Sequence, residues 1–575
     1  MTDYMEEYRH WMDSPALSES EWKELDDISA DEEEIKSRFF APLEFGTAGL
    51  RGVMGMGLNR MNRHVIRHAT QAFASVICAE GEEAMKKGVV ICYDCRENSE
   101  LFARSAASVM AANGIFVRIF DALRPTPELS FAIRKFGATA GINVTASHNP
   151  REYNGYKVYW ADGAQLPPKH AQAIADAMAK IDIFTGIKRM IYTEAVDEGL
   201  VETIGAETDE DFLENVLSQS IDRDAVARVA DSFKIVYTPF HGTGYRLVPE
   251  ALRRLGIKNI IPVPQQMVID GSFPTVKSPN PEEPEGFHLA IELARSENCD
   301  LIIGTDPDAD RVGIMVRDDK GEYVTVSGNQ TGVLLLDYII TAKKRAGTLP
   351  ENAAAVKTIV TTEMAREVAS QNGVHLDDTF TGFKFMAEKI AEYEKDGSYS
   401  YILAYEESYG YMIGDYVRDK DAVTASMLIA EMAAYYFEKG MTLLQALDAL
   451  YEKYGYFAER TLNLVMPGID GLENMRRLMA RLRETPPAEI SGVKVLRERD
   501  YASGKIIVPG LGFVGKTHIT GSNVLYFELE DDTSFIVRPS GTEPKIKIYI
   551  LVSGKDRQEC SQKIDSYVSY ALALK

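Results

Sequence analysis

Short apolar runs alternate along the chain with longer stretches in which apolar residues recur every three or four positions. The runs, such as VVIC at 89–92 and LII at 301–303, predict buried strands, and the periodic stretches between them predict amphipathic helices. Strands that alternate with helices are typical of layered α/β proteins with largely parallel sheets. The pattern therefore predicts an α/β fold.

One arrangement of an opening strand, a helix and a closing strand occurs three times. The openings are GVVICYDCRENS, FKIVYTPFHGTG and AAVKTIVTTEM, and the closing strands lie in GATAGINVTASHNP, CDLIIGTDPDADR and YSYILAYEESYG. Each closing strand leads into a loop rich in Ser, His, Asp or Glu. Because ligands of open α/β sheets bind beyond the carboxyl ends of the strands, we expect the three loops to meet in one cleft.

The chain after the third repeat follows a different pattern. SFIVRPSGTEPKIKIYILV has a strand, a turn and then alternating Lys and Ile, which is typical of a half-buried strand. We therefore expect three similar α/β domains with mixed, largely parallel sheets and a C-terminal α+β domain, arranged around one central cleft. The expected ranges are 1–205, 206–320, 321–455 and 456–575.

Composition narrows the class of partner. The chain has 575 residues, of which 45% are hydrophobic and 26% charged, as in ordinary globular proteins. Its 63 basic and 86 acidic residues give a net charge of −23, which argues against nucleic acid or an anionic membrane as a partner. The first residues, MTDYMEEYRHWMDS, lack the apolar core of a signal peptide, and no apolar stretch is long enough to span a bilayer. We expect a cytoplasmic location.

Two short motifs match known signatures without the context that those signatures need. Cys92 and Cys95 have C-x-x-C spacing, but no second such pair exists to complete a zinc site, so we expect two structural cysteines. GLGFVGKT at 510–517 satisfies the P-loop pattern, but a turn and a strand-like run follow it where a phosphate-binding helix should begin. We therefore predict neither a redox site nor a nucleotidase.

Three aspartates at alternate positions follow the second closing strand, which the sequence places at 299–303. Clustered carboxylates repel one another, so Asp306, Asp308 and Asp310 need a cation in an ordered loop. An EF-hand would have Gly and Glu where this chain has Arg311 and Arg317, which excludes a calcium loop of that type. Magnesium takes few protein carboxylates and fits better than three solvated surface aspartates.

The first closing strand leads into TASHNP at 145–150, and Ser147 lies where the strand ends. This is a position for a nucleophile, although Ser, Asn and Pro are also ordinary turn formers. No G-x-S-x-G motif of a serine hydrolase occurs in the chain. His148 could act either as a proton shuttle or as a hydrogen-bond donor to phosphate. Lys157 in the following YNGYK brings an ammonium group to the same region.

Two further loops have the composition of ligand-binding loops. In EESYG, Glu406, Glu407 and Ser408 could bind sugar hydroxyls, although an ordinary acidic loop has the same composition. RDKD, downstream, adds Arg418 and Lys420. RPSGTEPK combines an arginine with the hydroxyls and amides of a Ser-Gly-Thr turn, which are the constituents of a phosphate-binding nest.

The order of these motifs resembles that of one known family. TASHNP, GTDPDADR, TGFKF, EESYG and RPSGTEPK occur in the order of the α-D-phosphohexomutase superfamily and together span most of the chain. FGTAGLRG, ALRPTPELSF and EESYGYMIGDYVRDKDA resemble its bacterial long-form α-phosphoglucomutase branch most, with the phosphopentomutase-like branch close. The resemblance implies that the four predicted domains provide, in order, the phosphoserine, the metal site, the sugar-recognition loop and a phosphate-binding loop.

The resemblance also implies roles for individual residues. Ser147 would carry the phosphoryl group and, with Asp306, Asp308 and Asp310, contact one Mg²⁺ ion per chain. Basic residues would transfer protons or stabilise the transition state, together with His148; these are Arg51, Lys157 and Lys420. The residues expected to bind substrate are Arg311, Gly382, Phe383, Lys384, Glu406, Ser408, Arg418, Arg538, Ser540, Gly541 and Thr542.

The implied reaction interconverts α-D-glucose 1-phosphate and D-glucose 6-phosphate through glucose 1,6-bisphosphate, which would also act as activator. A phosphopentomutase or phosphomannomutase with the same mechanism stays open. A sugar-phosphate binding protein without catalysis would have a broken serine or metal loop, and both loops are intact. The expected partners are small sugar phosphates, and the expected assembly is a monomer or weak homo-oligomer.

Overall fold

The structure is a computed structural model that describes residues 3–466, 471–540 and 545–574. The chain divides into two compact units. The first consists of Met1–Ser327 and Tyr409–Thr442, and the second of Gly328–Ser408 and Leu443–Lys575.

The N-terminal part of the first unit is an α/β layer preceded by three short helices. Its elements are α1 (Tyr4–Met12), α2 (Glu19–Asp26), α3 (Glu32–Phe39), β1 (Leu50–Val53), α4 (Arg63–Ala79), α5 (Glu82–Lys87), β2 (Val89–Tyr93), α6 (Ser99–Ala112), β3 (Val117–Phe120), α7 (Thr126–Phe136), β4 (Ala140–Val144), β5 (Tyr153–Trp160), α8 (Pro168–Met178), α9 (Tyr192–Asp197) and β6 (Val201–Ile204). The strands form one sheet in the order β1–β5–β4–β2–β3–β6.

Strand β2 shows why the strands of this sheet have continuously apolar sequences. Val89 and Ile91 face a core that includes α4 and α6, whereas Val90 and Cys92 face a second core under α7. A parallel strand covered by helices on both faces needs apolar residues at every position. Strands β4, β2, β3 and β6 are parallel, and β5 and β1 add an antiparallel edge. Cys92 is a buried free cysteine, as predicted for a structural residue.

The second α/β layer of this unit carries the aspartate loop. Its elements are α10 (Ala206–Ser218), α11 (Arg223–Val229), β7 (Lys234–Thr238), α12 (Gly244–Leu255), β8 (Asn259–Pro262), a 3₁₀ turn (Pro284–Phe287), α13 (His288–Glu297), β9 (Leu301–Thr305), β10 (Val312–Arg317) and β11 (Tyr323–Val326). The strand order is β11–β10–β9–β7–β8, with β9, β7 and β8 parallel and β10 and β11 antiparallel.

Strand β9 begins two residues later than the sequence predicts. The N–H of Cys299 still bonds to the carbonyl of Ala294, at the end of α13. The carboxylate of Asp300 then accepts the N–H of Lys234 at 2.9 Å. Both residues therefore belong to the turn between α13 and β9.

The next stretch of chain supplies elements to both units. Its elements are α14 (Gly328–Ala346), β12 (Ala353–Thr358), α15 (Met364–Asn372), β13 (His375–Thr379), α16 (Phe383–Asp396), β14 (Ser400–Glu406), β15 (Gly410–Met412) and α17 (Ala422–Glu438). Strands β13, β12 and β14 pair in parallel within the second unit. Helix α17 belongs to the first unit, where it packs against α11 and α12.

Helix α17 is buried on all sides along most of its length, which accounts for the long apolar run in its sequence. None of the helices in the described residues is both long enough and apolar enough to cross a membrane.

The C-terminal part of the second unit is an antiparallel sheet with helices packed on one face. Its elements are α18 (Leu443–Tyr454), β16 (Tyr456–Val465), α19 (Gly471–Glu484), β17 (Glu489–Ile490), β18 (Val493–Asp500), β19 (Lys505–Val508), β20 (Gly512–Lys516), β21 (Leu525–Leu529), β22 (Ser534–Pro539), β23 (Lys545–Gly554) and α20 (Arg557–Leu572). The strand order is β16–β23–β22–β21–β18–β19–β20, and β17 pairs with β18.

The predicted alternation in β23 holds for one face, but the strand is not half-buried, because its other face is also largely covered. Ile546, Ile548 and Ile550 lie in the core beneath α19 and α20, while Tyr549 and Leu551 face a second core on the other side. The P-loop-like residues 510–517 include strand β20, and no helix starts at Lys516. The nucleotide-binding alternative therefore lacks the helix N-terminus that it needs.

Candidate active site

Ser147 lies in a tight loop three residues beyond the end of β4. Its side chain is buried, and its φ of +54° is in the left-handed region. The Oγ donates a hydrogen bond to Oδ2 of Asp306 at 3.0 Å and lies 3.2 Å from Nδ1 of His148. The loop thus brings the predicted nucleophile against the first of the three predicted metal ligands.

The three aspartates form a buried cluster between β9 and β10. One carboxylate oxygen from each of Asp306, Asp308 and Asp310 lies within 4.8 Å of the others, and this is the one such group of His, Cys, Asp or Glu found in the described residues. Burial and the two neighbouring carboxylates raise the pKa of Asp306 well above its usual value. Burial opposes ionisation of Asp310 too, but Lys420 and Lys157 outweigh it and lower its pKa.

Two lysines from different elements reach this cluster. Lys157 on β5 places Nζ 2.6 Å from Oδ2 of Asp308 and 3.4 Å from Oδ2 of Asp310. Lys420, just before α17, places Nζ 3.1 Å from Oδ2 of Asp310. Burial lowers the pKa of Lys157, but the carboxylates of Asp308 and Asp310 outweigh burial and hold the pKa above the usual value. The site is therefore a compact set of alternating charges.

Arginines and a histidine border the serine. Arg51 on β1 donates from Nη1 to Oδ1 of Asn149 at 3.0 Å. Arg311 follows the aspartates and donates from Nη1 to Oε1 of Glu282 at 2.9 Å. Burial, and then Arg311 and Arg51, lower the pKa of His148 well below its usual value. His148 is therefore held as a neutral imidazole at neutral pH.

Arg418 is almost completely buried in the loop between β15 and α17. Its Nη1 donates to the carbonyl oxygens of Asp415 at 2.7 Å and Val417 at 2.9 Å, and its backbone N–H donates to Oγ of Ser130 at 2.8 Å. The guanidinium thus stabilises the loop from which Lys420 extends.

In the second unit, Glu406 and Ser408 lie at the carboxyl end of β14. Glu406 is buried and Ser408 half-buried. Between them, Glu407 accepts hydrogen bonds from the hydroxyls of Thr358 at 3.1 Å and Thr361 at 3.3 Å. Burial and the neighbouring Glu406 raise the pKa of Glu407 to about 7. Glu407, the second residue of the EESYG loop, therefore ties the loop to the end of β12.

The remaining predicted substrate residues also lie in the second unit. Gly382, with a φ of +113°, precedes α16, and Phe383 is buried at its first position. Nζ of Lys384 lies 4.7 Å from the ring centre of Phe385, and burial lowers the pKa of Lys384.

The predicted phosphate-binding loop lies only partly within the described residues. Arg538 lies on β22 opposite Lys547, and the N–H of Ser540 donates to the carbonyl of Lys545 at 2.8 Å. Gly541 and Thr542 lie outside the described residues.

Thr126 completes the aspartate site without having been predicted from the sequence. Its N–H donates to the carbonyl of Asp308 and its Oγ1 to Oδ2 of Asp308, both at 2.8 Å. Nδ2 of the buried Asn143 donates to the same hydroxyl at 2.7 Å. The sequence does not distinguish Thr126 from an ordinary residue at the start of α7, because its partner Asp308 lies in another repeat.

The aspartate cluster fits a hard divalent cation. Asp308 Oδ1 and Asp310 Oδ1 are buried, and neither has a hydrogen-bond partner in the described part of the chain. A buried carboxylate oxygen without a donor is costly unless a cation faces it. All-oxygen ligands of this kind suit magnesium.

Comparison with known proteins assigns the class. The chain matches the three family models described as phosphoglucomutase/phosphomannomutase α/β/α domains I, II and III over residues 42–183, 210–321 and 327–454. These ranges cover more than half of the chain, so the protein belongs to the α-D-phosphohexomutase superfamily, and the predicted family is confirmed. The C-terminal sheet adds a fourth, β-rich domain to the three, as predicted.

Individual relatives narrow the comparison to the bacterial phosphoglucomutase-like branch. The chain is 34% identical to a phosphoglucomutase of Staphylococcus haemolyticus over 535 residues, which cover 92% of this chain and 94% of that one. It is also 34% identical to a phosphoglucomutase of Staphylococcus aureus over 543 residues, which cover 93% and 94%.

Solved structures share the fold at lower identity. Parafusin, a phosphoglucomutase from Paramecium in an open form, superposes with a TM-score of 0.66 at 18% identity, covering 93% of this chain and 95% of its own. A phosphoglucomutase/phosphomannomutase family protein from Burkholderia thailandensis gives a TM-score of 0.64 at 18% identity, covering 92% and 97%.

Proposed function

We propose that the protein is a phosphoglucomutase that interconverts α-D-glucose 1-phosphate and D-glucose 6-phosphate through a phosphoserine at Ser147. The observation that carries the proposal is the approach of Ser147 Oγ to within 3.0 Å of Asp306, inside a cluster of three aspartates and two lysines. The relatives named phosphoglucomutase, which match more than nine-tenths of the chain, support glucose phosphates as substrates.

The chemistry is a phosphoryl transfer in two directions. The bond between phosphorus and Ser147 Oγ breaks, a bond from phosphorus to a sugar hydroxyl oxygen forms, and that hydroxyl gives its proton to a neighbouring base. The resulting glucose 1,6-bisphosphate turns around, and its other phosphoryl group returns to Ser147 Oγ. Such a transfer depends mainly on positioning and on neutralising charge.

The basic residues of the site suit both tasks. Lys157 and Lys420 lie within hydrogen-bond distance of the aspartates, and Arg51 on β1 and Arg311 beyond the aspartates border the serine loop. We assign charge neutralisation and proton transfer to this set together with His148, whose imidazole is 3.2 Å from Ser147 Oγ.

We propose that Asp306, Asp308, Asp310 and Ser147 Oγ hold one magnesium ion. When bound, the ion would neutralise charge on the phosphoryl oxygens. Lys157 and Lys420 balance the aspartate charges from the other side. The two buried aspartate oxygens that lack a hydrogen-bond donor among the described residues support this assignment.

We further propose that the second unit recognises the rest of the substrate. Glu406 and Ser408 would bind the sugar 3- and 4-hydroxyls, whose positions are nearly kept when the ring turns around. The loop at Gly382–Lys384 would distinguish the two orientations. We include Arg418 among the substrate-binding residues because it lies in the same loop as Lys420. Arg538 and Ser540, with Gly541 and Thr542, would bind the distal phosphate.

Further parts of the proposal concern the protein as a whole. We propose glucose 1,6-bisphosphate as activator, a cytoplasmic location, a monomer or weak homo-oligomer, and domains at 1–205, 206–320, 321–455 and 456–575. The net charge of −23 supports small-molecule partners over nucleic acid or anionic membranes.

The proposal is tested by measuring the phosphate content and the mutase activity of the Ser147→Ala variant. Intact-mass analysis of the wild type should find one phosphate that phosphatase treatment removes, and the variant should carry none and lose nearly all mutase activity. An unchanged circular dichroism spectrum of the variant would show that the fold survives. Near-normal turnover by the alanine variant would refute the proposal.

Substrate preference is tested separately on the wild type. We expect the highest kcat/KM with α-glucose 1-phosphate, compared with mannose 1-phosphate and ribose 1-phosphate under the same conditions. A higher value with either alternative would make the protein a phosphomannomutase or a phosphopentomutase with the same mechanism.

A further inference from the structure

The loop that carries Ser147 has a backbone that needs external support. Ser147 has a φ of +54°, a conformation that L-residues other than Gly, Asn and Asp rarely adopt. Such a conformation is strained and persists only where the surroundings hold it. Four carbonyl groups of residues 147–153 point toward a single side chain, and that side chain belongs to neither β4 nor β5.

The side chain is that of Arg96, which follows β2. Its Nη2 donates to the carbonyl oxygens of Ser147 at 2.6 Å and Asn149 at 2.5 Å. Its Nη1 donates to those of Pro150 at 2.8 Å and Tyr153 at 3.0 Å. All four terminal N–H groups of the guanidinium therefore bind the backbone of the serine loop.

Asp94 supports the same loop at the N–H group of Ser147. Its Oδ2 lies 3.2 Å from Nε of Arg96 and accepts a hydrogen bond from Oγ1 of Thr145 at 2.6 Å. That hydroxyl in turn accepts the N–H of Ser147 at 2.8 Å. Both backbone groups of Ser147 are thus fixed, the carbonyl by Arg96 and the N–H through Asp94.

A segment of the second α/β layer covers the guanidinium. The ring centre of Phe273 lies 5.0 Å from Cζ of Arg96, and the Arg96 side chain is only 1% exposed. Gly271 allows the close approach, because a Cβ there would lie 2.6 Å from the carbonyl oxygen of Cys95. His241 anchors the segment through the carbonyl of Val268 and the hydroxyl of Thr275, both at 2.8 Å. The hydrogen bonds of Arg96 are therefore shielded from water.

We propose that Arg96 is a positioning residue for phosphoryl transfer at Ser147, which rests on the function proposed above. It touches no reacting atom. It holds the serine in its left-handed conformation, so that Oγ projects toward Asp306 and the sugar phosphate. Arginine is needed because the four carbonyl groups are bound by two separate nitrogens of one planar guanidinium, whereas lysine has three donors on one nitrogen.

The first test compares Arg96→Lys with Arg151→Lys. Arg151 lies in the same loop, but its side chain is 66% exposed, so its substitution is a matched control. A displacement of about 1 Å can cost about 100-fold in rate, so we expect Arg96→Lys to lower kcat by about 10- to 100-fold. KM for glucose 1-phosphate should change by less than about 3-fold, because the side chain contacts no substrate.

A second measurement separates positioning from general stability. Hydrogen–deuterium exchange should be faster in Arg96→Lys for the peptide that covers 145–153 and unchanged for β2 and β4. Single-turnover phosphorylation of Ser147 by glucose 1,6-bisphosphate, followed by intact mass, should slow by the same factor as kcat. Arg151→Lys should match the wild type in all three assays.

Chemical rescue gives a third test, because added guanidinium would not restore activity if Arg96 had only a general structural role. Where Arg96→Ala folds, methylguanidinium should restore part of its activity and methylammonium should not. Wild-type kcat in Arg96→Lys, or an exchange rate unchanged at 145–153, would overturn the inference even where the alanine variant does not fold. A wild type that turns over no sugar phosphate would instead overturn the proposed function.

Discussion

Thr126 uses both of its polar groups on one residue of the aspartate cluster. Its N–H and hydroxyl bind Asp308, and Asn143 orients the hydroxyl from the other side. Hydrogen bonds of this kind fix which oxygen of a metal ligand faces the ion. The orientation of Asp308 is therefore decided by residues of the first α/β layer rather than by its own loop.

Thr126→Val keeps the shape of the side chain and removes the hydroxyl. We expect magnesium affinity to fall by about 10- to 100-fold, because residues that orient metal ligands typically contribute that much. Isothermal titration calorimetry with MgCl₂ measures this directly. Thr126→Ser, which keeps the hydroxyl, should bind within a few-fold of the wild type, and equal affinity in the valine variant would contradict the assignment.

The proposed nucleophile and the proposed metal ligands could be singled out from the sequence. Ser147 and the three aspartates follow buried strands in short motifs, and that local context is enough to single them out. Thr126 and Arg96 could not be predicted in this way. Thr126 is 182 residues from Asp308, and Arg96 is 51 residues from Ser147, so only the folded chain shows these contacts.

At the scale of elements, strand β18 contains a carboxyl group whose burial disfavours the ionised form. Glu498 is fully buried, and neither of its oxygens has a hydrogen-bond partner in the described part of the chain. Burial, reinforced by Asp500 and opposed by Arg483, raises its pKa to about 7. The folded protein therefore binds a proton here that the unfolded chain releases at lower pH.

The free energy of unfolding should consequently fall as the pH rises from about 4.5 to about 7, because the native state holds more protons than the unfolded state in that window. Glu498→Gln should remove the part of this dependence that Glu498 causes and stabilise the protein at pH 8 by on the order of 1–3 kcal/mol. Urea unfolding at pH 5 and pH 8 measures the difference. A glutamine variant that is less stable than the wild type at pH 8 would contradict the prediction.

Strand β20 allows a prediction about the P-loop-like motif. Lys516 is exposed on this strand, opposite Lys505, and no helix follows it. Lys516→Ala should leave kcat/KM for both glucose phosphates within about 2-fold of the wild type, since exposed substitutions away from a site are usually neutral. Glu406→Ala is the contrasting variant, with an expected loss of ~10- to 150-fold in both directions.

The opening and closing strands of the three repeats were predicted because most of their residues are buried, although β9 both starts and ends two residues later than predicted. The helices α1 to α3 and the hairpin of β19 and β20 could not be predicted. The three helices are short, and they are held by packing against the first core, to which Trp11 and Phe39 contribute. Local periodicity is too weak to specify helices of eight or nine residues.

At the scale of the whole molecule, the aspartate cluster links metal binding to stability. Three buried carboxylates in one cluster repel one another, and a bound cation would relieve this repulsion. Magnesium at 100 times its dissociation constant should therefore stabilise the folded protein by about 2.7 kcal/mol. Differential scanning calorimetry should find a higher Tm with MgCl₂ than with EDTA.

Asp308→Asn is the matched variant for this measurement, because it removes one ligand charge and keeps the shape of the side chain. The increase in Tm with MgCl₂ should shrink strongly in this variant, and EDTA should have little further effect. An equal increase in the variant and the wild type would show that magnesium acts elsewhere.

The first unit is built from two stretches of chain separated by residues 328–408. Helix α17, which covers α11 and α12, and Lys420, which reaches Asp310, both come from the second stretch. A ribosome that adds 5–20 residues per second needs roughly 10 s to proceed from the aspartate loop to the end of that stretch. During this interval the nascent chain exposes the apolar surface that α17 will cover, and its serine loop faces an incomplete set of charges. The proposed phosphorylation of Ser147 therefore becomes possible only after translation has passed Thr442, long after the serine itself has been made.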